Sequence, residues 1–315
     1  MGNRPSKILL LDMDSEVTRS LCRRLLKMDM HVVSVGKSET KLGDLKSFSN
    51  FTFYRLDLSV KDIVRSYIYG IDTIIFFDHS NQILEKIEHL FLSIMHMKSS
   101  MPRIFFISSC DVFRWEPNRF WLEEDIVDPD SDLGELISGA ESMVKNYAAK
   151  ISIPVCILRI PRFVDRQYVD SSFLQFIKIL KSNEQIDFDI SLNLVIQFIT
   201  LDGLIHNLSQ LFHMRWDGIE IFHIESYQQN FIPLFDSLKI ILGSKSSLLK
   251  DNKLTSFIKE CLTVSPLVRK RIDEFQKVHS VNFLRQPVLN CKKSERILNV
   301  ERFDLKQLLR HISIK

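Results

Sequence analysis

The sequence predicts an α/β fold: a doubly wound parallel sheet followed by a smaller mixed C-terminal subdomain. Three observations carry this. Apolar runs without polar alternation recur through the first half, the pattern of strands buried on both faces. Segments of helical periodicity separate them, so successive strands are joined by crossovers and run parallel. Past residue 165 the rhythm changes, which divides the chain into a first domain over 1–165 and a second over 166–315, part of which returns to the sheet.

In order, "KILLL" (7–11) leads into a helix over 16–28, and "HVVSV" (31–35) and "FTFYRL" (51–56) follow as strands. A helix over 60–69 precedes "DTIIFF" (72–77), and a helix over 82–98 precedes "RIFFIS" (103–108). A helix over 134–150 then leads to "VCILRI" (155–160). The second half reads as a helix over 172–181, the stretch "LVIQFITLDGLIHNLSQLF", a strand at 218–224 and a helix over 230–242. A charged, mostly helical stretch (244–285), "QPVLNCKKSERILNV" and a final helix close the chain. Internal repeats and low-complexity tracts are absent.

Composition narrows the function classes. Lys and Arg number 42 against 39 Asp and Glu, and a net charge of +3 offers no footprint for nucleic acid or a membrane surface. No apolar run is long enough to cross a bilayer. The 5 cysteines stand singly, without zinc or redox spacing, so reduced thiols and a cytoplasmic location are expected. Phenylalanine is abundant at 23, whereas glycine is scarce at 9 and none lies between Gly2 and Gly36.

Seven segments in order carry a family resemblance. "KILLLDMDSEVTRSLCRRLLKMDMHVVSV", "YRLDLSVKDIVRSYIYGIDTIIFF", "IFFISSCDVF" and "ESMVKNYAAKISIPVCILRIPRFVD" cover the first half, and "VIQFITLDGLIHNLSQLF", "GIEIFHI" and "PVLNCKKSERILNV" the second. Together they resemble the extended short-chain dehydrogenase/reductases, the branch of NAD-dependent nucleotide-sugar epimerases and dehydratases. The resemblance implies a Rossmann-like domain, and a dimer in which helices 83–98 and 134–150 pair as a four-helix bundle with a like or a related subunit.

The functional positions depart from that pattern. The family's three turn glycines fall on Asp12, Ser15 and Thr18, whose side chains would occupy space needed by a pyrophosphate. Asp12, Asp14 and Glu16 suit the positive end of the helix dipole, which predicts a self-capped helix start that repels an anion. No cofactor is therefore expected, and NAD(P) only if the degenerate turn still binds it. Gly36 stands where an acidic ribose contact is usual, followed by Lys37. The family's proton-transferring tyrosine and lysine fall on Leu133 and Ile137, and none of the 6 tyrosines has a lysine four residues on. Ser109 matches the family's serine.

These departures predict a catalytically degenerate homologue, a non-catalytic binding, scaffold or regulatory subunit. The alternative is a sugar or nucleotide-sugar modifying enzyme with altered chemistry through Ser109, Asp111 and nearby arginines. A more distant reading is a receiver-like module holding a Mg²⁺-type ion between Asp12, Asp14 and Asp57. Without such a module, no metal site is expected. His79, at the end of the fourth strand, reads as structural or solvated. In the loop "DVFRWEPNRFWLEED" (111–125), Arg114, Trp115, Arg119 and Trp121, together with Arg162, form a candidate ligand or partner surface, unless the tryptophans pack on the core.

Overall fold

The chain alternates strand and helix as its hydrophobic pattern requires. The computed structural model describes residues 7–57, 67–97, 101–164, 171–187, 194–249, 278–280, 284–300, 302–305 and 307. Its first half contains β1 (Lys7–Leu10), α1 (Glu16–Lys27), β2 (His31–Gly36), β3 (Phe51–Arg55), β4 (Thr73–Phe76), α2 (Ile83–Met95), β5 (Arg103–Ser109), β6 (Phe120–Trp121), α3 (Asp132–Ile151), β7 (Val155–Ile160) and β8 (Arg162–Val164). The second half adds α4 (Ser171–Lys181), β9 (Gln185–Asp187), β10 (Val195–Thr200), α5 (Leu201–Leu211), β11 (Ile219–His223), β12 (Tyr227–Asn230) and α6 (Phe231–Leu242). Short elements follow: β13 (Leu248–Leu249), β14 (Val278–Ser280), β15 (Val288–Leu289) and α7 (Lys292–Ile297).

Seven strands form one parallel sheet in the order β11-β7-β5-β4-β1-β2-β3. β1 is central: Ile8 pairs with Val32 on β2 and with Thr73 on β4. The chain winds outward from β1 through β2 to β3, then returns to β4 and winds the other way. The gap between β1 and β4 is therefore a topological switch point, where crossovers diverge and open a crevice at the strands' C-terminal ends.

Both sheet faces are covered, which explains the uninterrupted apolar runs. Val17, Leu21 and Leu25 of α1 pack with Leu204 and Leu208 of α5 over one face. Ile87, Leu90 and Phe91 of α2 pack with Ala140 and Val144 of α3 over the other. The phenylalanines are concentrated in a further core, where Phe173, Phe176, Phe198, Phe231 and Phe235 gather around the sheet β12-β10-β8. Burying one such ring contributes roughly 1.5–3 kcal/mol. β11, far along the sequence, joins the main sheet beside β7.

Element boundaries agree with the periodicity to within a few residues, and caps explain the differences. α3 begins at Asp132 because Ser131 Oγ accepts from the Gly134 amide at 3.1 Å. It ends at Ser152, whose φ of 54° is left-handed. α2 ends at Met95, short of the expected 98. Most of the helix expected over 60–69, most of 244–285 and the final helix lie outside the described residues. Among the described residues no helix is long and apolar enough to cross a membrane.

Candidate functional site

A cleft of about 830 Å³ opens at the switch point, lined by the turns after β1, β2 and β4, the ends of β5 and β7, β8, and residues of α1 to α4. Its charged walls are Asp12, Asp14, Lys37, Asp78, Lys86, Asp111 and Arg162, with His79, Ser80, Gln82 and Ser109 between them. Phe77 and Phe163, in edge-to-face contact with ring centroids 6.1 Å apart, supply an apolar patch.

The turn after β1 keeps a glycine-like backbone while carrying side chains. Asp12 has φ 64°, the left-handed conformation that glycine adopts without strain. Contrary to expectation, the helix start is not self-capped: Ser15, the N-cap of α1, makes no side-chain capping bond. Arg19 reaches back instead, donating to the carbonyls of Met13 and Asp14 at 2.9 Å each and pairing with Glu16. Asp14 accepts from the Lys37 amide at 3.3 Å. The acidic residues are used in fastening the turn, and among the described residues no N-cap side chain caps the leading amides of α1.

Across the switch point lies a feature the sequence reading missed. Lys86 Nζ donates to Asp78 Oδ2 at 2.5 Å and stands 3.6 Å from Asp12 Oδ2. The Lys86 and Asp78 side chains are only 6% and 3% exposed. Asp78 also accepts from the Ser80 amide at 2.7 Å and the Ser80 hydroxyl at 3.0 Å. Burial, and then the Asp78 charge, push the Asp12 carboxyl above its ordinary range. Burial opposes the Lys86 charge, but the two carboxylates outweigh it and hold the ammonium above its usual value. A signal existed: Lys86 interrupts the apolar stripe of Ile83, Ile87 and Leu90, and a lysine there must find a buried counter-ion.

Against this geometry the residues do not fit a dinucleotide. Asp12, Ser15 and Thr18 add bulk where the fold needs none, and Thr18 is packed so closely that its Oγ1 is buried without a partner. Two carboxylates and a committed lysine occupy the crevice that would receive the diphosphate. Leu133 lines the cleft 42% exposed, and Ile137 is fully buried, so neither can move a proton. Gly36 is closely packed: a Cβ there would meet Met13 Cβ at 3.2 Å, so that neighbour would have to give by a few tenths of an ångström.

Polar chemistry is concentrated instead at the end of β5. Ser109 Oγ donates to Asp111 Oδ2 at 2.6 Å while accepting from the Asp111 amide at 3.2 Å. His79 lies nearby with Nε2 3.3 Å from the Ile107 carbonyl, an arrangement that makes Nε2 the protonated nitrogen. Burial lowers the His79 pKa and keeps the ring neutral, so Nδ1 is left as a lone-pair acceptor. Among the described residues, Asp111 Oδ1 has no hydrogen-bond partner either.

The candidate residues in 111–125 lie outside the cleft, with Arg114 and Arg119 still partly exposed. Trp121 is buried, stacked on Phe113 with centroids 4.6 Å apart, and its Nε1 donates to the Arg114 carbonyl at 3.0 Å. Arg119 lies 3.5 Å over the Trp121 ring and pairs with Glu116. Arg114 pairs with Asp128, and Trp115 packs on the phenylalanine-rich core beneath Arg285. These four side chains brace the loop and do not line the cleft. Arg162 does line it, with Nη1 and Nη2 donating to the carbonyls of Leu284 and Arg285 at 3.1 and 2.9 Å. Asp57, the third carboxylate of the receiver-like reading, pairs with Lys37 at 3.1 Å, away from Asp78 and Lys86.

No protein-family model and no curated protein matches the sequence. Solved structures do match, across nearly the whole chain. A variant of the UDP-glucuronic acid 4-epimerase from Bacillus cereus, in complex with NAD and a fluorinated UDP-sugar, superposes with a TM-score of 0.70 at 18% identity, covering 97% of both chains. The dTDP-glucose 4,6-dehydratase from Streptomyces venezuelae, with NAD bound, gives 0.69 at 15% identity, covering 96% of this chain and 95% of that one. The UDP-glucose 4-epimerase from Thermotoga maritima, with UDP-glucose, gives 0.68 at 14%, covering 96% of both. The chain has the fold of NAD-dependent epimerases and dehydratases.

That finding corrects the expected non-catalytic subunit. The three solved structures named above, which share this fold nearly end to end, are an epimerase variant, a dehydratase and an epimerase, and the cleft at this chain's switch point is open and polar. Here it keeps hydroxyl, carboxylate, imidazole and ammonium groups at its walls.

Proposed function

We propose that the chain is an enzyme that modifies a sugar or nucleotide-sugar by acid–base chemistry in this cleft, with Asp111 as the proton-transferring group and Ser109 as its positioning partner. One observation carries the proposal: an open, polar cleft at the switch point holds the Ser109–Asp111 pair at 2.6 Å with the second carboxylate oxygen unengaged. The hydroxyl fixes Asp111 so that Oδ1 can accept a proton from, or a hydrogen bond with, a substrate hydroxyl. The fold's association with sugar-nucleotide enzymes supports the substrate class.

The test is turnover of a panel of sugars and nucleotide-sugars followed by NMR. Asp111→Asn should lower product formation by about 10²–10⁴-fold, the range for a positioned acid–base group, and Ser109→Ala, which only orients it, by about 10-fold. Unchanged turnover in Asp111→Asn would sink the assignment.

We also infer that the chain associates, with a like or a related subunit, through α2 and α3. These helices pack together, with Phe91 and Tyr147 stacked at 5.1 Å, and they carry Leu84, Leu136 and Met143 only half-buried at their outer faces. A groove over Gly139, Met143, Asn146 and Tyr147 continues that surface. Sedimentation should give a dimer at micromolar concentration, and a monomer both alone and with the natural partner would overturn the reading.

A further inference from the structure

The cleft's charges, counted with their partners, narrow the ligand class. We propose that the site takes a neutral, unphosphorylated sugar or polyol and rejects ligands that enter through a diphosphate. This rests on the sugar-enzyme reading above and makes it narrower.

Each lining cation is already engaged. Lys86 is held between Asp78 and Asp12, Lys37 bonds Asp57 at 3.1 Å and Gln82 at 3.4 Å, and both Arg162 terminal nitrogens donate to backbone carbonyls. Against these three stand four lining carboxylates, Asp12, Asp14, Asp78 and Asp111. A diphosphate brings about two further negative charges and, among the described residues, meets no uncommitted cation here. The leading amides of α1 would attract an anion, but Asp12 and Asp14 flank the same turn.

A neutral polyol meets no such opposition. Asp111 Oδ1 and the His79 Nδ1 lone pair accept from hydroxyls, and Gln82 and Ser80 line the same cleft. The Phe77–Phe163 pair offers an apolar surface to the C–H face of a sugar ring. Carboxylates that repel phosphate are strong acceptors for hydroxyl groups, because hydrogen bonds to charged acceptors are the stronger kind.

The experiment is thermal shift and calorimetry on the full chain. One arm uses neutral hexoses, pentoses and cyclitols, and the other pyrophosphate, NAD⁺ and UDP-glucose. At least one neutral sugar should bind saturably and raise the melting temperature, with the effect lost in Asp111→Asn, while the diphosphate arm produces no shift. The double variant Asp12→Asn/Asp78→Asn leaves the Lys86 ammonium without its carboxylates. It should gain at least about tenfold in pyrophosphate affinity, equivalent to about 1.4 kcal/mol. Should that variant not fold, Asp14→Asn, at a half-buried position, is expected to gain in the same direction. Saturable binding of UDP-glucose or NAD⁺ to the unaltered chain would overturn the inference and leave the sugar-enzyme reading standing. Failure of every sugar and nucleotide-sugar to bind would overturn both. A folded variant with no gain for pyrophosphate would refute the electrostatic account.

Discussion

Arg159 on β7 grips Glu141 on α3 through two parallel hydrogen bonds, Nε to Oε1 at 2.9 Å and Nη2 to Oε2 at 2.8 Å. Both side chains are 1% exposed. Ser108 adds a third bond to Oε1 at 2.6 Å, so the carboxylate is fully engaged beneath the end of β5. Glu141→Gln keeps the shape and strands the guanidinium, and should cost roughly 3–5 kcal/mol in urea unfolding. Replacing both partners, Glu141→Leu with Arg159→Met, should recover much of that loss. Burial raises the Glu141 pKa, but Arg159 outweighs it and the net shift is downward. This contribution is therefore present above the unfolded carboxyl pKa and disappears as pH falls through the lower folded value.

Glu225 behaves in the opposite sense. Burial pushes its carboxyl up to about 7 against the pull of Arg302 at 3.1 Å, and its Oε2 has no partner. Between the unfolded value of 4.5 and about 7, the folded chain holds the extra proton. Stability must fall as pH rises through that window, by about 3 kcal/mol once Glu225 is ionised. Glu225→Gln should flatten the difference between unfolding at pH about 5 and about 8, the range that brackets the transition. An unchanged difference would show that the carboxyl titrates normally.

Much of the fold was legible because sheet position and burial leave a local trace. β1, β4, β5 and β7 are buried on both faces, so their apolar runs needed no partner to be recognised. α1 and α3 announced themselves by periodicity. The site was less legible, because its key relationships are long-range. Nothing local joins Asp78 to Lys86 and Asp12, and only the lysine within an apolar stripe hinted at a buried counter-ion. Trp121 was ambiguous for a related reason: its burial depends on Phe113 and on pairing of β6 with β15, which begins at residue 288. The helix start was misread because carboxylates near a helix N-terminus suit the dipole whether or not they cap it. Here they serve Arg19 and Lys37 instead.

The cysteines should be inert in the folded state. Cys22, Cys110, Cys156 and Cys291 are all buried, and burial raises each thiol, Cys22 to about 12. Since the thiolate is the reactive form, a disulfide-exchange reagent should titrate at most one of the 5 thiols quickly in the native protein. All should react after denaturation in guanidinium. Two or more fast thiols would show that one of these buried sites opens.

Gly134 ties the α3 cap to the proposed chemistry. A Cβ there would lie 2.1 Å from the Asp111 carbonyl oxygen and 2.8 Å from Pro129 Cβ, so the backbone carrying Asp111 would have to move. Gly139, one and a half turns along the same helix, has only Leu84 Cδ2 near, at 3.9 Å. Gly139→Ala should therefore stabilise the helix by up to about 1 kcal/mol. Gly134→Ala should destabilise the protein by roughly 1–3 kcal/mol. A displacement of about 1 Å at Asp111 would also lower turnover by around 100-fold. Turnover and unfolding measured on both variants separate a positional effect from simple loss of stability. A Gly134→Ala protein as active as the unaltered chain would place the proton transfer somewhere other than Asp111.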